Sequence, residues 1–483
     1  MSASNKAVSL QEKVFGLYRT ISERGLFVDT NYDIFLGKTE EAPFGSLNKY
    51  RFQLLDPDRN GRALSSSLLF PTITCLLNHG TCLSTGAVGI GKTTGAEFAG
   101  HFFTGTPLHD ILEGTVQGHP QQTQESMVAY LDLGLLTKNG KRVAIPQKFM
   151  TAGVHMLDEI RRLDPSTLAI LLRLIDTGKT TYQGQLIVMK PGPVFATANY
   201  DDEGSAQLLP PAADRFDVAV MVTSPSSVDV SRILSRRDEK LNGGSLDELL
   251  SLPAAYALSD DDRLAIRHEI SSVHVPQDVE NYLDYVRAMM RFCEVASASP
   301  ERMTKGNAWQ VAPDEAASEH YLTVSSSSAV ASHRLTRNEL SVRTHKALDR
   351  YAKALAWFQG KDSVSQNDVS TVWPFVTWHR LHPSKHALQT PGTLYANDRI
   401  GFATAVFSRC VEEFDELNTD SRGGIFVKYT AGMQALTDEK YSLEKKQTAV
   451  TNAIQQLGES THPYALVLAQ YLASEYNTQA SEK

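Results

Sequence analysis

Residues Gly86 to Thr93 read GAVGIGKT, and no other stretch restricts the fold of this chain as much. Gly86, Gly91, Lys92 and Thr93 meet the spacing G-x-x-x-x-G-K-[ST]. The strand-like run TCLST precedes them directly, and a helix is expected from about Lys92. In that order, strand, glycine turn and helix aim several backbone N–H groups and the positive end of the helix at one spot. The result is a cradle for phosphate oxygens, expected from Gly86, Ala87, Val88, Gly89, Ile90, Gly91, Lys92, Thr93 and Thr94. Lys92 would reach the β- and γ-phosphates of ATP, and Thr93 would put its hydroxyl on Mg²⁺. A chance glycine-rich turn is the bland alternative, and the ordered strand, GKTT and helix count against it. The motif fixes nucleotide binding and leaves the reaction open, because kinases, GTPases and motors share it.

Bulk properties narrow the field. At 483 residues and 42% hydrophobic content the chain has room for about three domains. Its formal net charge of −8 gives no global reason for tight binding to nucleic acid or anionic lipid. Cys75, Cys82, Cys293 and Cys410 form no C-x-x-C pair, which argues against a disulfide framework or a structural zinc site. The start, MSASNKAVSLQEKVFG, shows no apolar signal-type segment, and no run approaches the ~20 apolar residues of a membrane span. A cytoplasmic location is expected.

Along the chain, 1–45 reads as a helical lead-in with Leu10, Val14, Leu17 and Ile21 at helical spacing. From 46 to 225 short apolar runs alternate with helical stretches, the pattern of a parallel sheet covered by helices. The clearest strands are Thr81–Thr85, Val154–Leu157, Val194–Ala198 and Val218–Val222. One helix is well marked: Asp164 caps it, Pro165 suits its first turn, Leu168, Leu171, Leu172 and Ile175 make its apolar face, and Gly178 stops it. Residues 226–385 read as a mostly helical lid with an irregular insertion at about 296–332, which includes SSSS at Ser325–Ser328. Within the lid, Ala347, Leu348, Tyr351, Leu355 and Phe358 share a helical face that ends near Gly360. Residues 386–483 read as a helical extension in which Ala403, Val406, Phe407, Cys410, Val411 and Phe414 form a packing face.

Three further segments carry chemistry. Val154 to Glu159 is an apolar strand delivering Asp158 and Glu159 at its C-terminal end, the end that lies beside phosphates in such folds. Asp158 would hold Mg²⁺ and Glu159 would act as general base toward water, although Asp-Glu after a strand also serves as a helix cap. Val194 to Asn199 is a second buried strand, and Asn199 either orients the attacking water or only begins the loop NYDDEG. Then comes LLPPAADRFD, Leu208 to Asp217. Arg215 there can reach a neighbouring subunit's nucleotide, or it can simply pair with Asp214 or Asp217.

Taken together, GAVGIGKTT, HMLDEIRRLDPSTLAILLRLID and FATANYDDEGSAQLLPPAADRFDVAV resemble the AAA+ ATPases of the MoxR family. In that family the acidic segment reads close to DEINRAPP and the later strand close to ATQNP, followed by a proline-containing segment and DRF. Leu340-Ser341-Val342-Arg343 stands where the family has S-P-R, and VSQNDVSTVWPFVTWHRL resembles its V-T-P-E-D-V…HRL ending. The likeness covers about 50 to 385. It departs at Ala87-Val88, where the family often has Pro-Pro, and at ANY in place of QNP. The resemblance implies a five-stranded parallel αβα core, an all-helical lid and an ATP-dependent ring, usually a hexamer. It implies Arg215 as an arginine finger acting on a neighbouring subunit and Arg343 as sensor 2. It also implies an insertion within 112–150 and a hairpin near Thr180–Val188 that turns at Gln183-Gly184-Gln185. Members commonly remodel protein clients, often with a von Willebrand factor A partner, and assist metal-cofactor insertion or complex maturation.

Other signals carry less. His379, His382 and His386 suggest metal only until Pro383 interrupts the helical face. His155 reads as a satisfied core or near-site residue, not a catalyst. Arg232, Arg236, Arg237 and Lys240 read as a solvated helix face interrupted by Asp238 and Glu239. Competing functions are a nucleic-acid motor, against which the net charge counts, a motor subunit of a metal chelatase, and a non-hydrolysing scaffold.

Overall fold

The structure, a computed structural model, describes residues 8–27, 33–36, 62–199, 209–227, 229–231, 233–234, 250–293, 296–297, 299, 302–307, 331–384, 387–388, 397–419, 424–460 and 462–481. The arginine and lysine run at 232–240, most of the expected insertion (308–330), His386 and the loop beginning at Tyr200 lie outside them. Among the described residues no helix is long and apolar enough to cross a membrane.

Five parallel strands form the central sheet: β1 Thr81–Gly86, β2 Val116–Gln117, β3 His155–Asp158, β4 Val194–Asn199 and β5 Val218–Met221. Their order across the sheet is β5-β1-β4-β3-β2. Every residue of β1 and β4 is buried, as expected for strands covered on both faces. Register then does the positioning. β4 pairs with β1 from Val194 opposite Thr81 to Asn199 opposite Gly86, and with β3 from Val194 opposite His155 to Ala196 opposite Leu157. The polar ends of three strands therefore meet at one edge. The fold is the expected α/β P-loop core, with helices around a parallel sheet and further helices toward the C-terminus.

Helix α1, Leu10–Glu23, starts in a capping box between Ser9 and Glu12 and buries Val14, Leu17 and Ile21. Helix α2, Lys92–Thr104, follows the glycine turn. Helix α3, Pro165–Thr177, is capped as its sequence suggests: Asp164 accepts from the N–H groups of Ser166 and Thr167 at 2.8 and 3.2 Å. Gly178, at φ 65°, ends it. Its buried face differs from the expected one. Thr167, Leu171 and Leu174 are buried, while Leu168, Leu172 and Ile175 are half-buried. The helix is apolar around most of its girth, so its own periodicity does not select the inner face.

Two antiparallel hairpins project from this core. One pairs Ala129–Leu131 with Ala144–Pro146, inside the stretch expected to hold an insertion. The other pairs Lys179–Tyr182 with Gln185–Val188. Its two turn residues, Gln183 (φ 48°) and Gly184 (φ 77°), are both left-handed, the requirement of a tight two-residue turn. Gln185 ties the hairpins together: its Oε1 accepts from Ala144 N at 3.1 Å and its Nε2 donates to Arg142 O.

The chain divides into two compact units, Met1–His274 with Arg343–Val376, and Val275–Val342 with Thr377–Lys483. The first holds the sheet and helix α4, Val342–Phe358, whose Ala347, Leu348, Tyr351, Leu355 and Phe358 are buried as their spacing predicts. The second is helical. Its core gathers Tyr285 against Phe414 and Tyr464 at ring separations of 5.5 and 5.2 Å. On helix Arg399–Thr419, Ala403, Val406, Phe407 and Cys410 are buried, whereas Val411 and Phe414 are half-buried. The four cysteines are buried free thiols. His155 is fully buried, with Nδ1 and Nε2 each 2.7 Å from a carbonyl oxygen, those of Phe149 and Lys190.

Candidate nucleotide site

The loop between β1 and α2 has the backbone that its glycines allow. Gly89 and Gly91 lie at φ 77° and 85°, in the left-handed region where a Cβ is strained. Gly86 is held for a second reason: a Cβ there would stand 2.5 Å from the carbonyl oxygen of Val222. Lys92, at the start of α2, is buried and donates from Nζ to the carbonyl oxygens of Gly86 and Ala87. Burial pushes its pKa down, and the carboxylates of Asp158 and Glu159 work against that. The two carboxylates thus offset part of the desolvation of the Lys92 cation.

Asp158 ends β3 beside Thr93. Thr93 Oγ1 donates to Asp158 Oδ1 at 2.8 Å. The hydroxyl of Thr197, on β4, donates to the same oxygen and accepts from Glu159 N at 2.9 Å. One buried threonine thereby fixes both acids. Oδ2 of Asp158 has no hydrogen-bond partner among the described residues. A carboxylate oxygen beside a threonine hydroxyl is a donor set that fits a hard divalent cation such as Mg²⁺.

Glu159 stands at φ 53°, ψ 47°, a left-handed conformation that costs a non-glycine residue on the order of 1–2 kcal/mol. It is held there from several sides. Asn199 Nδ2 donates to its Oε1 at 3.1 Å, and Arg162 Nη1 pairs with its Oε2 at 2.6 Å. Arg161 Nη1 donates to the carbonyl oxygen of Asn199 at 2.5 Å. Gly118, just after β2, donates from its N–H to Asp158 O at 2.7 Å and comes up flush against the Glu159 backbone. Strain maintained by so many contacts is characteristic of a functional position.

Lys92, Thr93, Asp158, Glu159 and Asn199 thus share one end of the sheet. Arg215 and Arg343 do not. Arg215 O accepts from Thr81 Oγ1 at 3.0 Å, at the far end of β1. Thr81 and Gly86 are five residues apart on a strand, roughly 17 Å at the usual rise. Neither of the carboxylates expected for Arg215 is its partner. It pairs instead with Asp176 at 3.0 Å, and Arg343 joins the same group, 3.2 Å from Asp176 and 3.4 Å from Asp214. Asp217 pairs with Arg350.

Several contributors escape a reading of motifs. Thr197 lies inside an apolar strand, Gly118 in a stretch that reads as an ordinary turn, and Asp176 in the last turn of a helix. Phe27 lies far upstream, and its ring covers Gly95 on α2 and Gly91 just before it. Only Arg162 carried a signal, three residues after Glu159 and so one turn away.

Residues 82–216 match the AAA domain of the dynein-related subfamily, and residues 328–395 match the AAA lid domain. No curated protein matches the chain significantly. Among solved structures, a candidate ATPase from Cytophaga hutchinsonii is similar in fold: the match covers 81% of this chain and 96% of that one, at 17% identity and a TM-score of 0.51. The chain therefore carries the domain pair of an AAA+ ATPase, an AAA domain of the dynein-related subfamily and an AAA lid domain.

Proposed function

We propose that this chain hydrolyses ATP at sites shared between its own copies, assembled in a ring that the family resemblance makes hexameric, and uses the energy to remodel or mature a protein partner in the manner of MoxR-type AAA+ ATPases. The observation that carries the shared site is the separation just described. The loop and acids lie at one end of β1 and Arg215 at the other, so Arg215 and Arg343 cannot serve their own loop without a large rearrangement.

In this reading the backbone N–H groups of Gly86–Thr94 and Lys92 bind the phosphates. Thr93 and Asp158 would hold Mg²⁺, whose charge offsets that of the β- and γ-phosphate oxygens. Glu159 accepts the proton of the attacking water, and Asn199 fixes the carboxylate that does so. Arg215 and Arg343 from the next copy meet the charge that develops on the γ-phosphoryl group. A protein client is favoured by the two hairpins, which expose Tyr130, Leu133, Leu135, Leu186 and Val188. A von Willebrand factor A protein is the partner the resemblance suggests, with metal-cofactor insertion or complex maturation as the task.

The test is complementation. Arg215→Ala and Lys92→Ala proteins should each be inactive alone, and their mixture should regain part of the wild-type ATPase rate. A mixture that stays inactive under assembling conditions rules out the shared site. A Glu159→Gln bait should retain a specific protein partner in the presence of ATP. DNA-stimulated, salt-sensitive ATPase activity would point to the nucleic-acid motor instead.

A further inference from the structure

Arg215 and Arg343 come from positions far apart in the chain and converge on one carboxylate. Asp176 Oδ2 accepts from Arg215 Nε at 3.0 Å and from Arg343 Nη2 at 3.2 Å. Arg215 is also held through Nη1, which donates to Pro211 O at 2.5 Å. Its guanidinium is thereby held at two separate donors, Nε and Nη1, while Nη2 has no partner among the described residues. Arg343 Nη1 reaches Asp214 Oδ2 at 3.4 Å. Two guanidinium groups this close repel unless a negative group lies between them.

Asp176 is poorly placed for stabilising the fold. It sits in the last turn of α3, where the negative end of the helix disfavours a carboxylate. Half-exposed ion pairs also contribute little to stability. It is well placed for direction. It is mounted on a helix, not a loop, and a helix holds a side chain to a narrower range of positions.

We infer that Asp176 is a positioning residue, which holds Arg215 and Arg343 as a pair with Arg215 Nη2 turned toward the phosphates of a neighbouring copy. The inference rests on the shared-site reading proposed above. It makes Asp176 necessary for turnover without making it part of the chain's own nucleotide pocket.

The full-length protein tests it by ATPase kinetics, titration with a fluorescent ATP analogue and mixing. Asp176→Ala should lower kcat by roughly ten- to a hundredfold, the scale of a misdirected catalytic group. Affinity for the analogue should stay unchanged. Asp176→Asn, which keeps the shape and one acceptor oxygen, should fall between wild type and Ala, and it serves if the alanine variant does not fold. Mixing gives the reading that a merely structural role would not. Asp176→Ala with Lys92→Ala should regain activity, because one copy supplies an intact pocket and the other well-held arginines. Asp176→Ala with Arg215→Ala should stay inactive, because both lesions lie on the same face. Full kcat in Asp176→Ala, or no recovery with Lys92→Ala while Arg215→Ala does recover with it, overturns the role of Asp176. Failure of the Arg215→Ala and Lys92→Ala mixture overturns the shared site itself.

Discussion

Gly118 lies so close to Glu159 that a Cβ on it would stand 2.2 Å from the Glu159 carbonyl oxygen. The contact is backbone to backbone, so no side-chain rotation can relieve it. Gly118→Ala should therefore push the short edge strand β2 away from β3, or shift Glu159 out of its held position. We expect a cost of about 1–3 kcal/mol, as for other overpacked sites, and a drop in kcat larger than the loss of nucleotide affinity. Thermal unfolding and steady-state ATPase rates check it. An unchanged kcat would mean that the Glu159 backbone can move without consequence.

Glu159→Gln keeps the side chain's shape and can still accept from Asn199 Nδ2. It removes the proton acceptor and the charge that pairs with Arg162. Hydrolysis should fall by about 10²- to 10⁴-fold, the usual contribution of a general base, with nucleotide binding retained. Single-turnover hydrolysis beside equilibrium binding separates the two. Wild-type turnover in this variant would remove Glu159 from the chemistry.

Gln185 is the tie between the two hairpins, through Ala144 N and Arg142 O. Gln185→Ala breaks both hydrogen bonds, each worth on the order of 1 kcal/mol. The Ala144 amide should then exchange its hydrogen several-fold faster, while nucleotide affinity stays as it was. Hydrogen exchange resolved at 142–146 is the measurement. Unaltered exchange would show that the hairpins are held together by something else.

In the second unit, His462 stacks on Tyr285 and accepts from Tyr464 N at 3.2 Å. Burial first, and the nearby His333 second, push its pKa down from 6.5 to about 4. As pH falls, the unfolded chain therefore takes up this proton before the folded one does. Stability is intact above pH 6.5, declines between 6.5 and about 4, and levels off below, with a total loss of at most about 3 kcal/mol. His462→Asn should flatten that part of the pH profile, as followed by denaturant unfolding. A profile identical to wild type would assign the acid sensitivity to other groups.

What could be read before folding depended on how local the cause was. The loop at Gly86–Thr93 and the cap of α3 at Asp164 are local, and both could be written down from neighbouring residues alone. The strand β4 was legible because VFATA is a short apolar run, and β1 because it leads directly into the glycine loop. The inner face of α3 was not, since Leu168, Leu171, Leu172, Leu174 and Ile175 offer two equally apolar stripes and nothing local chooses between them. Asp176 was illegible for a stronger reason. Its partners Arg215 and Arg343 lie 39 and 167 residues away, and nothing near Asp176 announces either. The same holds for Gly118, whose need for a missing Cβ exists only once β2 lies beside β3.

The left-handed backbone at Glu159 sets the interests of the fold against those of the site. Glycine or asparagine would sit there with less strain, and either would relax the turn after β3. A search for sturdier variants of this protein, whether by selection for heat resistance or by substitution toward comfortable geometry, would therefore be drawn to position 159 early. With Glu159 as the proposed general base, it would return molecules that survive higher temperatures and no longer turn over. On that proposal durability and turnover compete at this residue, and a screen that reads only melting temperature would choose the wrong winner.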